Sequence, residues 1–429
     1  MPMPYQLTTM YKEGKFQDIV GLAGIPEELQ GFSEWDYYYY MLAAYKLKDY
    51  ERCLNIFRKF KQLFPNSEKL NDKCGWALYH TRIKDFDKEK DDAKQYKNQL
   101  LFIIKNGSDS EYSPAWRAVR TLMKAYKNGV FGTKIDYELI NKCLNKVNPE
   151  NLSDEEITME INGKSMRQAS EREVWYFNKV KSLKEIGQYE KCIDLSDMAL
   201  RSIKEFHNNG DMWIIYYASY SLYALKNYDE ARKMLQKALN TGFEHFSFWE
   251  LLYMISREEG KVEEAVRFGA LCSLCDNNHK MRVKFYQEYG VYLYQQGFVK
   301  EAMLHRQLSV KICEENNWAV KSFQAGWNVT EDIERMSARE LLQQLQIFWR
   351  EKRDVGQVRL HGKIKNLLAS GRDGFILGDN GQSYYFQLRD IEGRYGKLED
   401  ARVSFIVTER MDKKRNIVKE NAYRIVVEG

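Results

Sequence analysis

A turn flanked by two helical segments recurs four times between residues 187 and 302, and this repeat constrains the fold more than any other feature. Each copy carries a small residue at one fixed point, namely Cys192, Ala231, Ala265 and Ala302, at spacings of 39, 34 and 37 residues. Two helices approach closely only where side-chain bulk is missing at their crossing. A single helical hairpin cannot bury its apolar face alone, so the pattern predicts hairpins stacked along the chain.

These copies resemble tetratricopeptide repeats. The segment Asn227–Leu239 is similar to the second-helix consensus of that family. Trp249 matches the tryptophan of the first helix, Gly290 the close-packing glycine, and Ala199 and Ala238 the late alanine. The resemblance implies a mainly α chain whose repeats form a right-handed helical solenoid.

The order of patterns along the chain predicts five segments. Ser337 and Glu340 fit a capping box that opens a helix at the end of the repeats. After Asp354, the helical period gives way to alternation with frequent glycines. We predict degenerate tetratricopeptide-like repeats over residues 1–147, a loop or insertion over 148–170, tetratricopeptide repeats over 171–328, a capping or linker helix over 329–353 and a β domain over 354–429.

The β domain is expected to be a small closed barrel. Asp379-Asn380-Gly381 is a strong hairpin signal between two alternating segments. Five short strands within about 70 residues are typical of a five-stranded barrel. The predicted strands cover residues 358–365, 373–377, 383–388, 403–407 and 422–427.

Four motifs of this domain resemble, in the right order, a cold-shock or S1-like OB domain. They are Gly362–Lys365, Gly374–Ile376, Tyr384–Leu388 and Leu398–Phe405. That family binds single-stranded RNA or DNA by stacking bases on aromatic residues of its second and third strands. The resemblance therefore implies a nucleic-acid-binding barrel in this chain.

Carried to the matching positions, the resemblance makes Phe375 and Tyr385 stacking residues and Lys365 a phosphate contact, with Gln387 replacing the usual histidine. The match departs from the family at three positions, where Asp373, Asn366 and Leu388 replace expected aromatic residues. These departures predict weaker binding than in a complete cold-shock protein, or its loss. Further phosphate contacts are expected at Lys363, Arg372, Lys413, Lys414 and Arg415. The alternatives are that the two rings only pack, and that the basic run is a solvated hairpin.

The inner helices of the repeats predict a second surface, a groove for a partner protein or peptide. Counted from the turns, its lining combines aromatic and polar side chains, which suits an extended peptide or a strand. The alternative is that the tyrosines are half-buried packing between helices. The expected lining is Phe177, Lys181, Lys184, Tyr216, Tyr220, Tyr223, Glu250, Arg257, Gln287 and Tyr294.

Composition excludes several classes of protein. The chain has 66 basic and 61 acidic residues, a net charge of +5 that by itself does not indicate nucleic acid. Seven scattered cysteines argue against a disulfide framework and for a reducing cytoplasm. Neither a membrane span nor a secretory signal is recognisable, so we expect a cytoplasmic location.

Enzyme motifs are also missing. The sequence has no phosphate-binding glycine loop, nucleophile elbow, zincin motif or dinucleotide fingerprint. Cys272, Cys275 and His279 have metal-like spacing but lack a second pair nearby, and Cys272 occupies the small-residue position of its repeat. We therefore predict no metal, no cofactor and no enzymatic activity.

The leading hypothesis is a non-enzymatic adaptor, whose repeats bind a partner protein and whose barrel contacts single-stranded RNA or DNA. The whole layout resembles accessory proteins of bacterial TOTE-type conflict systems, which implies a role in anti-phage defence or nucleic-acid processing. Two alternatives remain open. One is a protein-only scaffold with a degenerate OB domain, and the other is a peptide-sensing tetratricopeptide regulator. The oligomeric state is not predicted.

Overall fold

The computed structural model describes residues 4–22, 33–161, 164–276, 278–319, 328–393, 395–412 and 417–428. They form two compact units, Met1–Tyr217 and Ala218–Gly429. The predicted fold class is confirmed: the chain is mainly helical, with tetratricopeptide-like hairpins and a C-terminal OB-like barrel. The five segments predicted from sequence stay a prediction as domain boundaries. No helix within the described ranges has the length and apolar character needed to cross a bilayer.

The first unit is built from helices that begin at side-chain caps. Asp92 accepts a hydrogen bond from the Lys94 amide at 2.7 Å, and Ser113 accepts one from the Ala115 amide at 3.2 Å, so that each cap starts a new helix. A π-helical turn, Tyr79–Ile83, follows the fifth helix. The helices are α1 (Pro4–Lys12), α2 (Phe16–Leu22), α3 (Glu34–Lys46), α4 (Tyr50–Phe60), α5 (Glu68–Leu78), α6 (Ala93–Asn106), α7 (Pro114–Lys127), α8 (Tyr137–Leu144), α9 (Glu171–Glu185) and α10 (Tyr189–Ser202).

Residues 148–170 hold regular structure where we predict a loop or insertion. A 3-10 turn, Pro149–Asn151, precedes an antiparallel hairpin of β1 (Ile157–Ile161) and β2 (Lys164–Gln168). The described side chains of this hairpin are mostly exposed, and Met166 is 49% exposed. The sequence of β1 alternates apolar and polar residues from Ile157 to Ile161, so the signal for a strand was present in the sequence and was missed.

The small residues at the helix crossings are buried as the repeat pattern requires. Cys192 in the first unit lies with its Sγ 3.5 Å from the Val180 carbonyl oxygen. Ala231, Ala265 and Ala302 in the second unit have no exposed surface. These positions therefore admit a neighbouring helix backbone where a larger side chain would not fit.

The second unit continues the hairpins and ends in a capping helix. Ser337 and Glu340 form the predicted capping box: the Ser337 Oγ accepts from the Glu340 amide at 3.3 Å, and the Glu340 Oε2 accepts from the Ser337 amide at 2.8 Å. A 3-10 turn, His279–Arg282, precedes the fifteenth helix. The helices are α11 (Gly210–Ala224), which begins in the first unit, α12 (Tyr228–Leu239), α13 (Phe246–Glu258), α14 (Val262–Leu274), α15 (Val283–Gln295), α16 (Val299–Glu315), α17 (Glu331–Glu334) and α18 (Ala338–Lys352).

A buried polar contact fixes α18 on the last hairpin. Trp349 and His305 are both fully buried, and the Trp349 indole N–H donates to His305 Nε2 at 3.0 Å. The other ring nitrogen of His305, Nδ1, donates to the Glu301 carbonyl at 2.7 Å. This arrangement needs a neutral imidazole, and burial lowers the pKa of His305 to about 4.

The C-terminal domain is a closed barrel. Its strands are hydrogen-bonded in the order β5-β4-β3-β7-β8-β6, and β5 also pairs with β8 in parallel, which closes the sheet. A core of its own fills the interior, including Ile364, Ile376, Phe386, Phe405 and Ile425. The strands are β3 (Arg359–Leu367), β4 (Asp373–Gly378), β5 (Ser383–Gln387), β6 (Ile391–Glu392, two residues only), β7 (Arg402–Asp412) and β8 (Ile417–Val427).

Polar contacts join the barrel to segments that flank helices of the second unit, at Asp354 after α18 and at Glu244 between α12 and α13. Asp354 pairs with Arg424 on β8 and, at 3.3 Å, with Arg359 on β3. The hydroxyl of Tyr423 donates to Glu244 Oε1 at 3.2 Å. Arg424 and Tyr423 of β8 are therefore held by other segments of their own unit.

The crossing positions give a first testable prediction. Ala231→Leu or Ala265→Leu inserts bulk into a filled crossing and should lower the free energy of unfolding by about 1–3 kcal/mol. Lys237→Leu is the matched control, because Lys237 is exposed on α12, the same helix as Ala231. Urea unfolding followed by circular dichroism measures all three. If the two alanine variants unfold like the lysine variant, the repeat register is wrong.

A second prediction concerns pH. The unfolded pKa of histidine is about 6.5, so between pH 6.5 and 4 the unfolded chain binds a proton that folded His305 does not. Stability is therefore complete above pH 6.5 and falls as the pH drops, by on the order of 2 kcal/mol between pH 7.5 and 5. His305→Gln keeps an acceptor for Trp349 but does not titrate. The difference in urea midpoint between wild type and His305→Gln should shrink on acidification, and a difference independent of pH would contradict this role.

Candidate nucleic-acid interface

Strand alternation decides where the two predicted stacking residues lie. On β4 and β5, Ile376 and Phe386 point into the barrel and are fully buried. Phe375 and Tyr385 are therefore directed to the outer face, where both are half-buried. The two residues are direct partners in the β4–β5 register, and their ring centroids are 5.7 Å apart at an interplanar angle of 69°. The outer face thus carries an edge-to-face aromatic pair, Phe375 and Tyr385, which we call the platform.

An acidic side chain adjoins this pair. Asp373 is the partner of Gln387 in the same register, so both lie on the aromatic face beside Tyr385. The Tyr385 hydroxyl donates to Asp373 Oδ2 at 2.9 Å. Burial, and secondly this hydrogen bond, raise the pKa of Tyr385 above its ordinary value. Asp373 therefore orients the Tyr385 ring but brings a negative charge to the edge of the platform.

The predicted phosphate-contacting residues differ in whether their side chains already have an acidic partner. Lys363 is exposed on β3, and Arg372 is exposed just before β4. The Lys365 Nζ instead lies 2.6 Å from Asp400 Oδ1, and this hydrogen bond lowers the pKa of the Asp400 carboxyl. Lys365 is therefore already paired. The predicted basic run Lys413, Lys414 and Arg415 lies outside the described residues.

Sequence reasoning missed apolar residues on the same surface. Leu377 is two positions beyond Phe375 on β4 and is 43% exposed, while Leu367 at the end of β3 is 42% exposed. The strand period of two places Leu377 on the face of Phe375, so the predicted strand over residues 373–377 was enough to identify it. The surface is thus mixed, with aromatic, aliphatic and charged groups together.

The predicted groove residues divide between the two units. In the first unit, the Phe177 ring packs on Tyr217 at 5.8 Å. Lys181 Nζ lies 5.8 Å from the Tyr137 ring centroid, and Lys184 pairs with Glu185 at 3.1 Å. These three side chains and Tyr216 are half-buried.

In the second unit, the predicted residues lie on α11, α13 and α15. Tyr220 and Tyr223 are half-buried, with ring centroids 6.0 Å apart. Arg257 pairs with Glu258 at 3.2 Å, and Tyr294 is 38% exposed. Glu250 and Gln287 are half-buried, and burial raises the pKa of Glu250 to about 7. Aromatic and charged side chains therefore share this helical surface, but most are partly used in packing.

The cysteine and histidine positions with metal-like spacing make other contacts. Cys272 is fully buried in α14, where burial raises the pKa of its thiol. His279 Nδ1 shares a hydrogen bond of 2.7 Å with the Tyr286 hydroxyl. Within the described parts of the chain, no group of three or more potential metal ligands comes together.

Residues 212–346 match the family model of a domain of unknown function, DUF7017. Among curated proteins, none matches this sequence. Among solved structures, the chain is similar to a monomeric mutant of IFIT1 with m7Gppp-AAAA, at 14% identity over 71% of this chain and 67% of that chain, with a TM-score of 0.32. It is also similar to the apo form of RapI, at 11% identity over 82% of this chain and 98% of that chain, with a TM-score of 0.18.

Proposed function

We propose that this chain is a non-enzymatic adaptor, whose helical repeats bind a partner protein and whose barrel contacts single-stranded RNA or DNA. One observation carries the nucleic-acid half: Phe375 and Tyr385 stand side by side, half-exposed, on the outer face of β4 and β5. Bases of any sequence stack on such rings, at about 1–3 kcal/mol per base. The expected ligand is a short single strand without strong sequence preference.

Charge around the platform supports a strand of modest affinity. Lys363 and Arg372 are exposed and are available to phosphates. Lys365 must give up Asp400 before it binds a phosphate, so its net contribution is smaller. Asp373 repels a phosphate near Tyr385. The strand is therefore held mainly by stacking, with two cations as its principal phosphate partners.

The protein-binding half of the proposal rests on the helical surfaces. Half-buried aromatic side chains beside cations, such as Tyr137 with Lys181, suit an extended peptide segment. The resemblance to accessory proteins of TOTE-type conflict systems extends the proposal to a bacterial anti-phage defence or nucleic-acid-processing complex. In such a complex, the adaptor would bring a protein partner to a single strand.

A second candidate is a protein-only scaffold, and specific observations favour it. Leu367 and Leu377 expose apolar surface next to the aromatic pair. Asp373 and the Lys365–Asp400 ion pair reduce the positive potential of the same face. A mixed apolar and polar surface of this kind is typical of a protein contact. The two candidate functions differ in whether the Phe375 and Tyr385 rings contact nucleic-acid bases.

A third prediction concerns the stacking of bases on Phe375 and Tyr385. Phe375→Ala and Tyr385→Ala should each weaken binding of oligo-dT or oligo-U by about 1–3 kcal/mol, with little change in salt dependence. Tyr385→Phe keeps the ring, so it should bind nearly as wild type does. Tyr395→Ala is the matched control, because Tyr395 is an exposed barrel aromatic, 42% exposed, outside the platform. Fluorescence anisotropy of a labelled strand measures the affinities.

The predicted phosphate contacts are tested by the salt dependence of the affinity in the same assay. Lys363→Ala and Arg372→Ala should each lower the slope of log affinity against log salt by about 0.7, the value for a single-strand phosphate contact. Lys365→Ala should lower it less, because that lysine is paired with Asp400. If folded Phe375→Ala and Tyr385→Ala bind as wild type does, the stacking proposal fails and the protein-only scaffold replaces it.

A further inference from the structure

The first unit contains a cavity of 600 Å³ whose described lining holds five basic side chains and no acidic one. Pockets of about 300–1,000 Å³ are the usual size for small-molecule ligands. The chain as a whole is nearly balanced, with 66 basic and 61 acidic residues, so a lining of one sign is a local departure. We call this cavity the basic pocket, and its cations are Lys84, Lys88, Arg117, Arg120 and Lys124.

Two separate segments supply these cations. Arg117, Arg120 and Lys124 recur at helical spacing along one face of α7. The opposite face of α7, including Val119 and Leu122, is fully buried, which fixes the orientation of the helix. Lys84 and Lys88 come from the stretch between the π-helical turn and α6. The pocket is therefore set by tertiary packing of α7 against residues far from it in sequence.

Most of these cations lack a carboxylate partner. Arg120 lies 3.4 Å from Glu171, and the Arg117 Nε donates to the Tyr79 hydroxyl at 3.1 Å. Among the described residues, no ion pair is formed by Lys84, Lys88, Arg117 or Lys124. Like charges gathered in a concavity repel one another and focus a positive potential there. An anion with several charges would relieve that repulsion.

Aromatic side chains form the rest of the wall. Phe86 stacks on Tyr96 with ring centroids 3.8 Å apart and an interplanar angle of 20°. Tyr96 is only 7% exposed and anchors that stack in the core. Tyr79, held by its hydrogen bond from Arg117, is half-buried on another part of the lining. Thr121 and Asn128 add neutral hydrogen-bonding groups. Cations, flat rings and hydroxyl-binding groups together match the three parts of a nucleotide.

We propose that the basic pocket binds a nucleotide that carries several phosphates. The α7 cations, with Lys84 and Lys88, take the phosphates, and Tyr79 or Phe86 gives the base a face to stack on. A free nucleoside polyphosphate and the phosphorylated end of a strand present the same chemistry. An extended acidic peptide fits less well, because a volume of 600 Å³ is that of a single small-molecule ligand. This site is separate from the platform on the barrel.

The experiment uses the full chain and isothermal titration calorimetry at low salt. The probes are ATP, inorganic triphosphate, and one short oligonucleotide with either a 5′-triphosphate or a 5′-hydroxyl. Arg117→Glu combined with Lys124→Glu should weaken ATP binding by at least about tenfold, since two charge-assisted contacts are reversed. Lys127→Glu is the matched control on the same helix, exposed and outside the lining, and it should stay within about twofold of wild type.

A second pair of variants tests the basic pocket without changing any residue of α7. Lys84→Glu with Lys88→Glu changes residues outside the α-helices and should weaken ATP binding to a similar degree. Circular dichroism melts establish that each variant is folded. Equal ATP binding by wild type and both charge-reversed pairs would overturn the proposal.

The probes separate the sources of the ligand. ATP tighter than inorganic triphosphate supports a nucleotide with a stacked base, whereas equal affinities overturn the nucleotide class. A 5′-triphosphate strand that binds tighter than ATP, with the 5′-hydroxyl strand weak, assigns the ligand to strand ends. ATP that binds at least as tightly as the strand end assigns it to free nucleotides. Absence of ATP and strand-end binding by wild type overturns the proposal.

Discussion

Helix crossings without side-chain bulk are the constraint on which the rest of the helical structure depends. Ala231, Ala265 and Ala302 have no exposed surface, and Cys192 fills the same place in the first unit. At Gly290, an added Cβ would lie 3.2 Å from the Cβ of His305. A larger residue at Gly290 would press on His305, and the contact between His305 and Trp349 would then lose the geometry that holds α18. Close packing at small residues therefore fixes the scaffold that carries the barrel.

The barrel obeys a different rule, and its surface follows from it. Ile376 and Phe386 are buried on the inner face, so the preceding residue of each strand points outward. Since β4 and β5 are paired in register, Phe375 and Tyr385 must then be neighbours. The platform is thus a consequence of filling the core, whatever its ligand. Its character is decided by the side chains beside it, and Asp373 makes it less suited to phosphates than two bare rings would be.

Local periodicity explains what the sequence could predict. The repeat spacing located the crossings, the capping box at Ser337 located α18, and strand alternation located all five long strands of the barrel. The hairpin of β1 and β2 was missed although β1 alternates apolar and polar residues and Asn162-Gly163 stands between the two strands. The pairing of Lys365 with Asp400 was missed because the two lie 35 residues apart and meet only in the closed barrel. The basic pocket was missed for the same reason, since its cations come from two segments joined by packing.

Net charge conceals both proposed binding surfaces, because +5 over 429 residues averages opposite local arrangements. On the barrel, acids stand among the bases: Asp379 pairs with Arg402, and Asp400 pairs with Lys365. Attraction there must come mainly from flat rings, which salt screens little. In the basic pocket the cations of α7 lack that compensation, apart from Arg120, so attraction there is Coulombic and falls steeply with ionic strength. The two proposals therefore rest on different physics, stacking on the barrel and Coulombic attraction in the basic pocket, and ionic strength should act on the second far more than on the first.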